Sequence, residues 1–399
     1  MEQLIRRHLN RMQTVSLDFV RGLMDRINWN DRLILIKGQR GVGKTTLMLQ
    51  RILREYGAAD TSSVLYVSLD NIYFASHGLL DFIEQFHKMG GKFLFIDEVH
   101  KYKNWSREIK NAYDEFTDLK MVLSGSSLVN IMEGEADLSR RCISYEMQGL
   151  SFREYMEMFH NQHFGTASLD DILTHGNDIC SDVNARVRPV VLFHQYLRQG
   201  YYPFLIEGEE SYYTRIENVV NMTIESELPQ MRRLDVDNIR KIQALIVALS
   251  SGLPYILDTT KLSSISGIAR TTLLQYLQYL HDARLINLLY SDIMSVKRMQ
   301  KPDKIYLENT NLLHVLSPDV NLGTEREVFF VNQLSMGHQV EYSKTAADFT
   351  IDQSYTIEVG GRSKGMKQLE GVSNGYIAAA DEEYVIGNKI PLWLFGFLY

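Results

Sequence analysis

A glycine-rich stretch that follows an apolar run has residue types and spacing suited to chemistry on a polyphosphate. The run LILI precedes the pattern G-x-x-x-x-G-K-T, and a helix-forming sequence follows it, which is the strand–loop–helix setting of a phosphate-binding loop. Glycines let the backbone wrap closely around phosphate groups, with N–H groups and the helix N-terminus facing the anion. We therefore expect a nucleotide to be bound by Gly38, Gln39, Arg40, Gly41, Val42, Gly43, Lys44, Thr45 and Thr46.

An acidic pair after a second apolar run supplies the groups that such a loop needs for hydrolysis. The sequence FLFI ends in Asp97 and Glu98. We expect Asp97 and the hydroxyl of Thr45 to hold Mg²⁺, Lys44 to reach the β- and γ-phosphates, and Glu98 to activate the attacking water. A general base from within the chain favours hydrolysis of ATP over binding alone.

Two further groups are candidates for contact with the γ-phosphate. The apolar run MVL leads into Ser124 and Ser126, which would lie at the carboxyl end of a strand and could sense that phosphate, unless they form an ordinary Ser-Gly turn. Arg140 or Arg141 could reach the nucleotide of a neighbouring subunit as an arginine finger, which would require a homo-oligomer. A surface or structural role for both arginines is the alternative.

The last hundred residues contain a second acidic pattern. Asp348 and Glu358 lie in two predicted strands, in an order close to that of metal-dependent nucleases, where a lysine two residues after the glutamate activates water. Here Gly360 occupies the lysine position, although Lys364 or Lys367 could substitute from nearby. We expect a vestigial, non-cleaving metal site, and its candidate ligands are Glu327, Asp348 and Glu358.

The stretch from Lys261 to Leu277 predicts a helix, a glycine turn and a second helix, and strand-like pieces follow it. This is the pattern of a winged helix-turn-helix, in which the exposed start of the second helix meets base edges or phosphates. That start would present Arg270, Thr271, Thr272 and Gln275. Only Lys261 and Arg270 are basic in this stretch, which is little positive charge for DNA binding. The alternatives to DNA contact are a protein-contact module and a spacer domain.

Bulk composition excludes several classes of protein. With 399 residues, 45% hydrophobic and 23% charged, the chain is long enough for two to four globular domains. A net charge of −7 excludes a generally basic nucleic-acid-binding surface. Two cysteines without metal-ligand spacing suit a reducing compartment, and no run of about 18 apolar residues predicts a membrane span. We expect a cytoplasmic protein that does not contact membranes.

The elements that must position these residues fall into four segments. Residues 1–150 alternate apolar strands and helices, which indicates an α/β fold with a parallel sheet. Residues 151–235 predict a helical lid over the nucleotide, although 162–187 is weakly patterned and suggests a mobile connection or an insertion. Residues 236–300 predict the winged helix. Residues 301–399 predict an α/β domain that ends in a buried strand or, if exposed, in a partner-docking segment.

Together these motifs resemble the bacterial and archaeal AAA-type ATPases that carry a C-terminal domain of unknown function. The resemblance rests on five stretches in addition to the phosphate loop: FIDE at 95–98, SGSS at 124–127, LSFRE at 150–154, GYYP at 200–203, and the Asp348/Glu358 pair. It implies a P-loop NTPase core of AAA type with a helical lid, followed by a winged helix and a restriction-endonuclease-like α/β domain. It further implies ATP-driven conformational work on nucleic acid or protein.

The leading hypothesis is thus a Mg²⁺-dependent ATPase that moves its winged-helix and C-terminal domains. The first alternative is a slow nucleotide-dependent switch that changes partners with ATP or ADP bound. The second is a nuclease gated by ATP, which the glycine at position 360 disfavours.

Overall fold

The computed structural model describes residues 1–58, 60–126, 138, 140–232, 234–252, 255–256, 258–291, 301–317, 319–343 and 347–399. Its contacts divide the chain into two compact units, Met1–Gly149 and Leu150–Tyr399. Within the residues that it describes, no helix is long and apolar enough to cross a membrane.

The first unit is built on a five-stranded parallel sheet in the order β2-β3-β4-β1-β5. The inner strands are short apolar runs that are buried along most of their length, as expected where helices cover both faces of a parallel sheet. The carboxyl ends of the strands lie at one edge of the sheet, and the residues predicted to bind nucleotide and Mg²⁺ follow these ends. The strands are β1 (Leu33–Lys37), β2 (Val64–Ser68), β3 (Phe93–Asp97), β4 (Lys120–Gly125) and β5 (Ile143–Glu146).

Five α-helices of the described part of this unit connect or cover the strands. Each of the longer helices buries one apolar stripe; α1, for example, buries Leu4, His8 and Met12 and packs against β2 and α3. The parallel α/β fold predicted for residues 1–150 is confirmed here. The helices are α1 (Glu2–Met12), α2 (Leu23–Arg26), α3 (Lys44–Tyr56), α4 (Leu79–Lys88) and α5 (Trp105–Glu115).

The second unit begins with a run of helices, and one prediction for this region is wrong. Residues 162–187, expected to be a mobile connection, contain the 18-residue helix α7, which is kinked at His175. A capping box of Ser168 and Asp171 starts α7, and burial of side chains such as Cys180 holds it in the fold. The helices are α6 (Phe152–His160), α7 (Leu169–Arg186), α8 (Pro189–Arg198), α9 (Tyr212–Met222) and α10 (Leu228–Arg232), with a π-helical turn at Thr223–Glu227.

These helices pack on elements from the end of the chain. The Ser151 hydroxyl donates to the carbonyl of Tyr399 at 2.7 Å, and Nε of Arg153 donates to the same carbonyl at 3.2 Å. Ser151 also forms a capping box with Glu154 at the start of α6. The LSFRE stretch therefore has a structural role in joining α6 to the C-terminal residues. Placement of 151–235 as a lid over a nucleotide stays a prediction.

Residues 236–307 form a helix-rich segment with a three-stranded antiparallel sheet in the order β6-β8-β7. Gly267 ends α12 with φ of 67°, a left-handed conformation that permits the tight turn into α13. The third strand, β8, lies beyond the predicted boundary at residue 300. The elements are α11 (Val236–Ser250), β6 (Tyr255–Ile256), α12 (Thr259–Ser266), α13 (Arg270–Asp282), β7 (Ile286–Leu289) and β8 (Lys304–Leu307).

The remaining residues form a mixed five-stranded sheet in the order β13-β12-β11-β10-β9. The predicted final strand is wrong in part: β13 ends at Pro391, and Leu392–Phe397 is a 3₁₀-helix whose six residues are all buried. Burial of this segment confirms that it is part of the core. The elements are α14 (Thr310–Leu316), α15 (Leu322–Leu334), β9 (Val340–Tyr342), β10 (Phe349–Ile351), β11 (Tyr355–Gly360), β12 (Gly375–Ala379) and β13 (Lys389–Pro391).

Candidate functional site

The phosphate loop joins β1 to α3, and two of its glycines are required by the backbone. A Cβ on Gly38 would lie 2.1 Å from the carbonyl oxygen of Met147, so no larger residue fits there. Gly43 has φ of 100° and precedes the first residue of α3. Lys44 is 7% exposed, and its ammonium group donates to the carbonyl oxygens of Gly38 at 2.8 Å and Gln39 at 2.9 Å. The lysine therefore lies folded over the loop.

The other predicted loop residues lie in different surroundings. Gln39 and Val42 are buried, whereas Arg40 and Gly41 are partly exposed. Thr46 is exposed in the first turn of α3, on a different side of the helix from the buried Lys44.

The carboxylate of Asp97 is the centre of a cluster of hydroxyl groups. The Thr45 hydroxyl donates to Oδ2 of Asp97 at 2.6 Å, and the Tyr66 hydroxyl donates to the same oxygen at 2.7 Å. Oδ1 accepts from the Ser124 hydroxyl and from the backbone N–H of Glu98 at 3.1 Å. β1 leads into the loop that precedes Thr45, and the ends of β3 and β4 carry Asp97 and Ser124. The parallel sheet therefore brings these residues together.

This oxygen set suits Mg²⁺, which binds through one or two protein oxygens together with phosphates and water. Thr45 donates its proton to Asp97, so the lone pairs of its hydroxyl oxygen stay available to a cation. No group of three or more His, Cys, Asp or Glu side chains that could bind a metal occurs among the described residues. A cation at this site would depend on the phosphates for the rest of its shell.

Glu98 has a strained backbone at the end of β3. Its φ of 54° is left-handed, which is uncommon for a residue with a side chain and is found at functional sites. One carboxylate oxygen of Glu98 lies 3.2 Å from Nε2 of His100. Nδ1 of His100 accepts the backbone N–H of Ser126 at 3.3 Å. His100, which the sequence analysis did not single out, therefore lies between the predicted base and the predicted sensor segment, of which Ser127 is outside the described residues.

The two candidate finger arginines differ in their surroundings. Arg141 makes a two-pronged ion pair with Asp114, with Nε at 2.8 Å from one carboxylate oxygen and a terminal nitrogen at 3.0 Å from the other. This pairing lowers the pKa of Asp114. Arg140 is exposed.

Arg21 is a further residue whose position the sequence did not reveal. It is 6% exposed and follows the end of α1 by nine residues. Its guanidinium donates to the carbonyls of Val42 at 2.9 Å, Gln148 at 2.9 Å and Gly149 at 2.8 Å. Arg21 thus ties the phosphate loop to the last residues of the first unit. Only tertiary contacts distinguish it from a surface arginine.

The second acidic cluster lies in the second unit, and lysines neutralise two of its carboxylates. Lys304 donates to a carboxylate oxygen of Glu327 at 2.7 Å, and the Tyr306 hydroxyl donates to the same oxygen. Lys364 forms an ion pair with Glu358. Among the described residues, no three or more His, Cys, Asp or Glu side chains lie together so that they could bind a metal. Glu327, Asp348 and Glu358 therefore do not form a three-ligand metal site.

Asp348 is used by the backbone, because one of its carboxylate oxygens accepts the N–H of Val359 at 2.9 Å. Burial raises the pKa of Glu358; the Lys364 hydrogen bond opposes this rise, and the charge of Asp348 adds to it. The side chain of Lys364 thus lies close to Gly360, which replaces the expected lysine. Its ammonium group is paired with the carboxylate.

The predicted recognition positions lie at the start of α13. Arg270, Thr271 and Gln275 are exposed, and Thr272 is partly buried. Arg270 donates to the Thr260 hydroxyl at 2.7 Å, across the turn between α12 and α13. The surface is accessible but carries little positive charge.

Two parts of the chain match known protein families. Residues 30–156 match a family described as an AAA domain. This stretch contains the phosphate loop, the acidic pair and the parallel sheet, and the match supports nucleotide binding by the first unit. Residues 191–325 match a domain of unknown function (DUF8612), which crosses the predicted boundaries at residues 235 and 300.

One relative is similar along nearly the whole chain. An uncharacterized protein of Methanocaldococcus jannaschii, MJ1637, is 28% identical over 432 aligned positions, which cover 99% of this chain and 91% of that protein. The similarity thus extends over both units, and that relative is itself described as uncharacterized.

Solved AAA-type proteins are similar only loosely. AMPPCP-bound DnaA from Aquifex aeolicus has a TM-score of 0.30 and 13% identity, over 65% of this chain and 84% of that chain. The ADP complex of Hsp104 from S. cerevisiae has a TM-score of 0.26 and 19% identity, over 70% of this chain and 39% of that chain. C. elegans PCH-2 has a TM-score of 0.25 and 14% identity, over 70% and 65%.

Proposed function

We propose that the protein binds ATP with Mg²⁺ in its first unit and hydrolyses it. The observation that carries this proposal is the convergence of Lys44, Thr45, Asp97 and Glu98 at the carboxyl edge of one parallel sheet. Lys44 would exchange its carbonyl partners for phosphate oxygens, and Thr45 and Asp97 would hold the cation. A bound Mg²⁺ would supply positive charge to the phosphate oxygens.

Glu98 is proposed to orient and deprotonate the attacking water. Its left-handed backbone turns the chain directly after Asp97, so the two adjacent carboxylates have different partners: hydroxyl groups for Asp97 and His100 for Glu98. Ser124 and Ser126 would report the γ-phosphate, and Arg140 or Arg141 would serve as the finger in an oligomer. These roles are consistent with the contacts in the first unit.

The test is steady-state phosphate release by the wild type and by Glu98→Gln. We expect the substitution to lower the rate about a hundredfold or more, as for loss of a general base, and to change ATP affinity less than threefold. Glu84→Gln is the matched control, because Glu84 lies on α4 and pairs with Lys88 at the surface. Equal rates in the wild type and Glu98→Gln would remove Glu98 from the mechanism.

A slow nucleotide switch is the second candidate, and the His100 contact favours it. A glutamate that lies 3.2 Å from a buried imidazole is restrained, which suits slow turnover. Single-turnover hydrolysis together with the rate of ADP release distinguishes the two functions. Tightly retained ADP after slow hydrolysis would indicate a switch, whereas fast repeated turnover would indicate a motor.

For the second unit we propose a winged helix over 236–307 and a nuclease-like domain that does not cleave. The order helix, strand, two helices and two strands, with its three-stranded antiparallel sheet, supports the first part. Lysine pairing of Glu327 and Glu358 supports the second. The exposed start of α13 would contact DNA or a protein partner when the nucleotide state changes.

A further inference from the structure

We propose that Tyr66 is a positioning residue for the magnesium site and that it joins Asp97 to helix α1. This inference rests on the proposed function, because it assigns a role at the same Asp97. Tyr66 lies in the middle of β2 and pairs in register with Phe95 of β3. No motif in the sequence marks it.

The first observation is the hydroxyl of Tyr66. It is one of four donors to the carboxylate of Asp97, and it shares Oδ2 with Thr45. Thr45 and Ser124 lie where nucleotide and cation are expected, so their hydroxyls can exchange partners on binding. Tyr66 is 5% exposed within β2, and its hydroxyl donates to Oδ2 at 2.7 Å from outside the phosphate loop. It is therefore the donor that can fix Asp97 in both states.

The second observation is the contact of Tyr66 with α1. The backbone N–H of Tyr66 donates to Nδ1 of His8 at 3.0 Å. His8 is fully buried, and burial lowers its pKa to about 4, so the imidazole is neutral and can accept this bond near pH 7. The Arg11 guanidinium lies 6.0 Å from the centre of the Tyr66 ring. Two side chains of α1 therefore contact the residue that holds Asp97.

A role in packing alone would not require the hydroxyl. Tyr66 lies in a strand in which Val64, Leu65 and Val67 are apolar and buried, and phenylalanine would fill the same space. Placing a phenol against a buried carboxylate instead orients that carboxylate. Groups that orient metal ligands in this way commonly change metal affinity by about 10- to 100-fold.

The connection also gives α1 a means to act on the site. A cleft of about 250 Å³ lies between α1 and the end of β2, and its lining includes Arg7, Arg11, Tyr66 and Asp70. Movement of α1 at this cleft would be transmitted through His8 to the backbone of Tyr66, and from its hydroxyl to Asp97. The magnesium site would thus respond to the position of the N-terminal helix.

The experiment is to titrate Mg²⁺ and follow its effect on ATP-analogue affinity and on thermal stability, without turnover. Tyr66→Phe should raise the Mg²⁺ concentration for the half-maximal effect about tenfold and leave affinity in EDTA within twofold of the wild type. Tyr73→Phe is the control, because Tyr73 lies in the same unit and its ring stacks on His77. His8→Leu, which removes the acceptor on α1, should shift the Mg²⁺ requirement in the same direction by less.

The outcomes separate this proposal from the proposed function. A wild type whose nucleotide binding does not respond to Mg²⁺ would overturn the proposed function itself. A responsive wild type with an unchanged midpoint in Tyr66→Phe would overturn the positioning role alone, as would an equal loss of affinity in EDTA, which indicates packing. A shift in Tyr66→Phe without one in His8→Leu would overturn the connection to α1.

Discussion

The two acidic clusters of this protein, one around Asp97 and one around Glu358, differ in the charge of the groups that contact their carboxylates. Around Asp97 the partners are neutral donors: the hydroxyls of Thr45, Tyr66 and Ser124 and one backbone N–H. Around Glu358 the partner is the ammonium of Lys364. Hydroxyl groups orient a carboxylate and leave its negative charge for a cation, whereas an ammonium group neutralises that charge. A carboxylate motif is therefore informative about chemistry only when the groups that contact its carboxylates are known.

The largest expected effect is a loss of ATP affinity, and it tests the nucleotide site to which Asp97 belongs. Lys44→Ala removes a buried ammonium whose present partners are two carbonyl oxygens of the loop. A lost charge-assisted contact to phosphate costs about 3 kcal/mol, so we expect ATP affinity to fall about a hundredfold. Equilibrium binding of a fluorescent ATP analogue measures it.

The control for that prediction is Lys88→Ala, at an exposed lysine on α4 that pairs with Glu84. We expect its affinity to match the wild type. Comparable loss in both variants would indicate a general effect of charge and would contradict phosphate binding by Lys44.

A smaller effect tests whether lysine stabilises the second cluster. Lys364→Met leaves the carboxylate of Glu358, which is 4% exposed, without its ion-pair partner. Because the Lys364 side chain is itself 34% exposed, we expect a loss of about 2 kcal/mol in the free energy of unfolding, between the values for an exposed and a fully buried pair. Urea denaturation of the second unit measures this loss of stability.

The pH dependence of that loss identifies its cause. In Lys364→Met, burial and the charge of Asp348 both still raise the pKa of Glu358. A carboxyl group with a raised pKa in the folded state binds its proton there more readily, so its stability contribution is present in acid and is lost as pH rises through that pKa. The variant should therefore approach the wild type as the solution is acidified. Glu358→Gln/Lys364→Met should be close to wild-type stability, and a persistent deficit in this double variant would contradict ion pairing as the cause.

The smallest expected effect concerns the restraint on Glu98. His100→Asn keeps an acceptor for the Ser126 N–H in the position of Nδ1 and removes the Nε2 that lies near Glu98. We expect kcat for ATP hydrolysis to rise about three- to fivefold, a change of roughly 0.6–1 kcal/mol in the barrier, without a change in KM. His100→Gln, which places its amide near Glu98, is the matched comparison. An identical kcat in His100→Asn and the wild type would show that His100 does not restrain the base.

Some elements could be predicted from the sequence because residues close together in the chain determine them. Short apolar runs ending in Asp97 or Ser124 predict buried parallel strands, and the phosphate loop has a fixed spacing that the backbone enforces at Gly38 and Gly43. α7 was missed because its apolar positions are sparse, and its helix depends on a capping box and on packing against other parts of the second unit. The terminal 3₁₀-helix was missed because a continuous apolar run does not distinguish helix from strand.

The sequence alone predicts the chemistry of the nucleotide loop and the alternation of strands and helices in the first unit. The tertiary structure decided which charged groups meet. Arg21, Tyr66 and His100 have no spacing that marks them, since the partners described above lie at least 21 residues away in sequence, except for Glu98, which is close to His100. It also paired Lys364 with Glu358, six residues apart, across a turn that no periodicity predicts. Long-range pairing depends on how the chain folds back on itself, and for that reason only the folded molecule separates the hydroxyl-bound Asp97 from the lysine-bound Glu358.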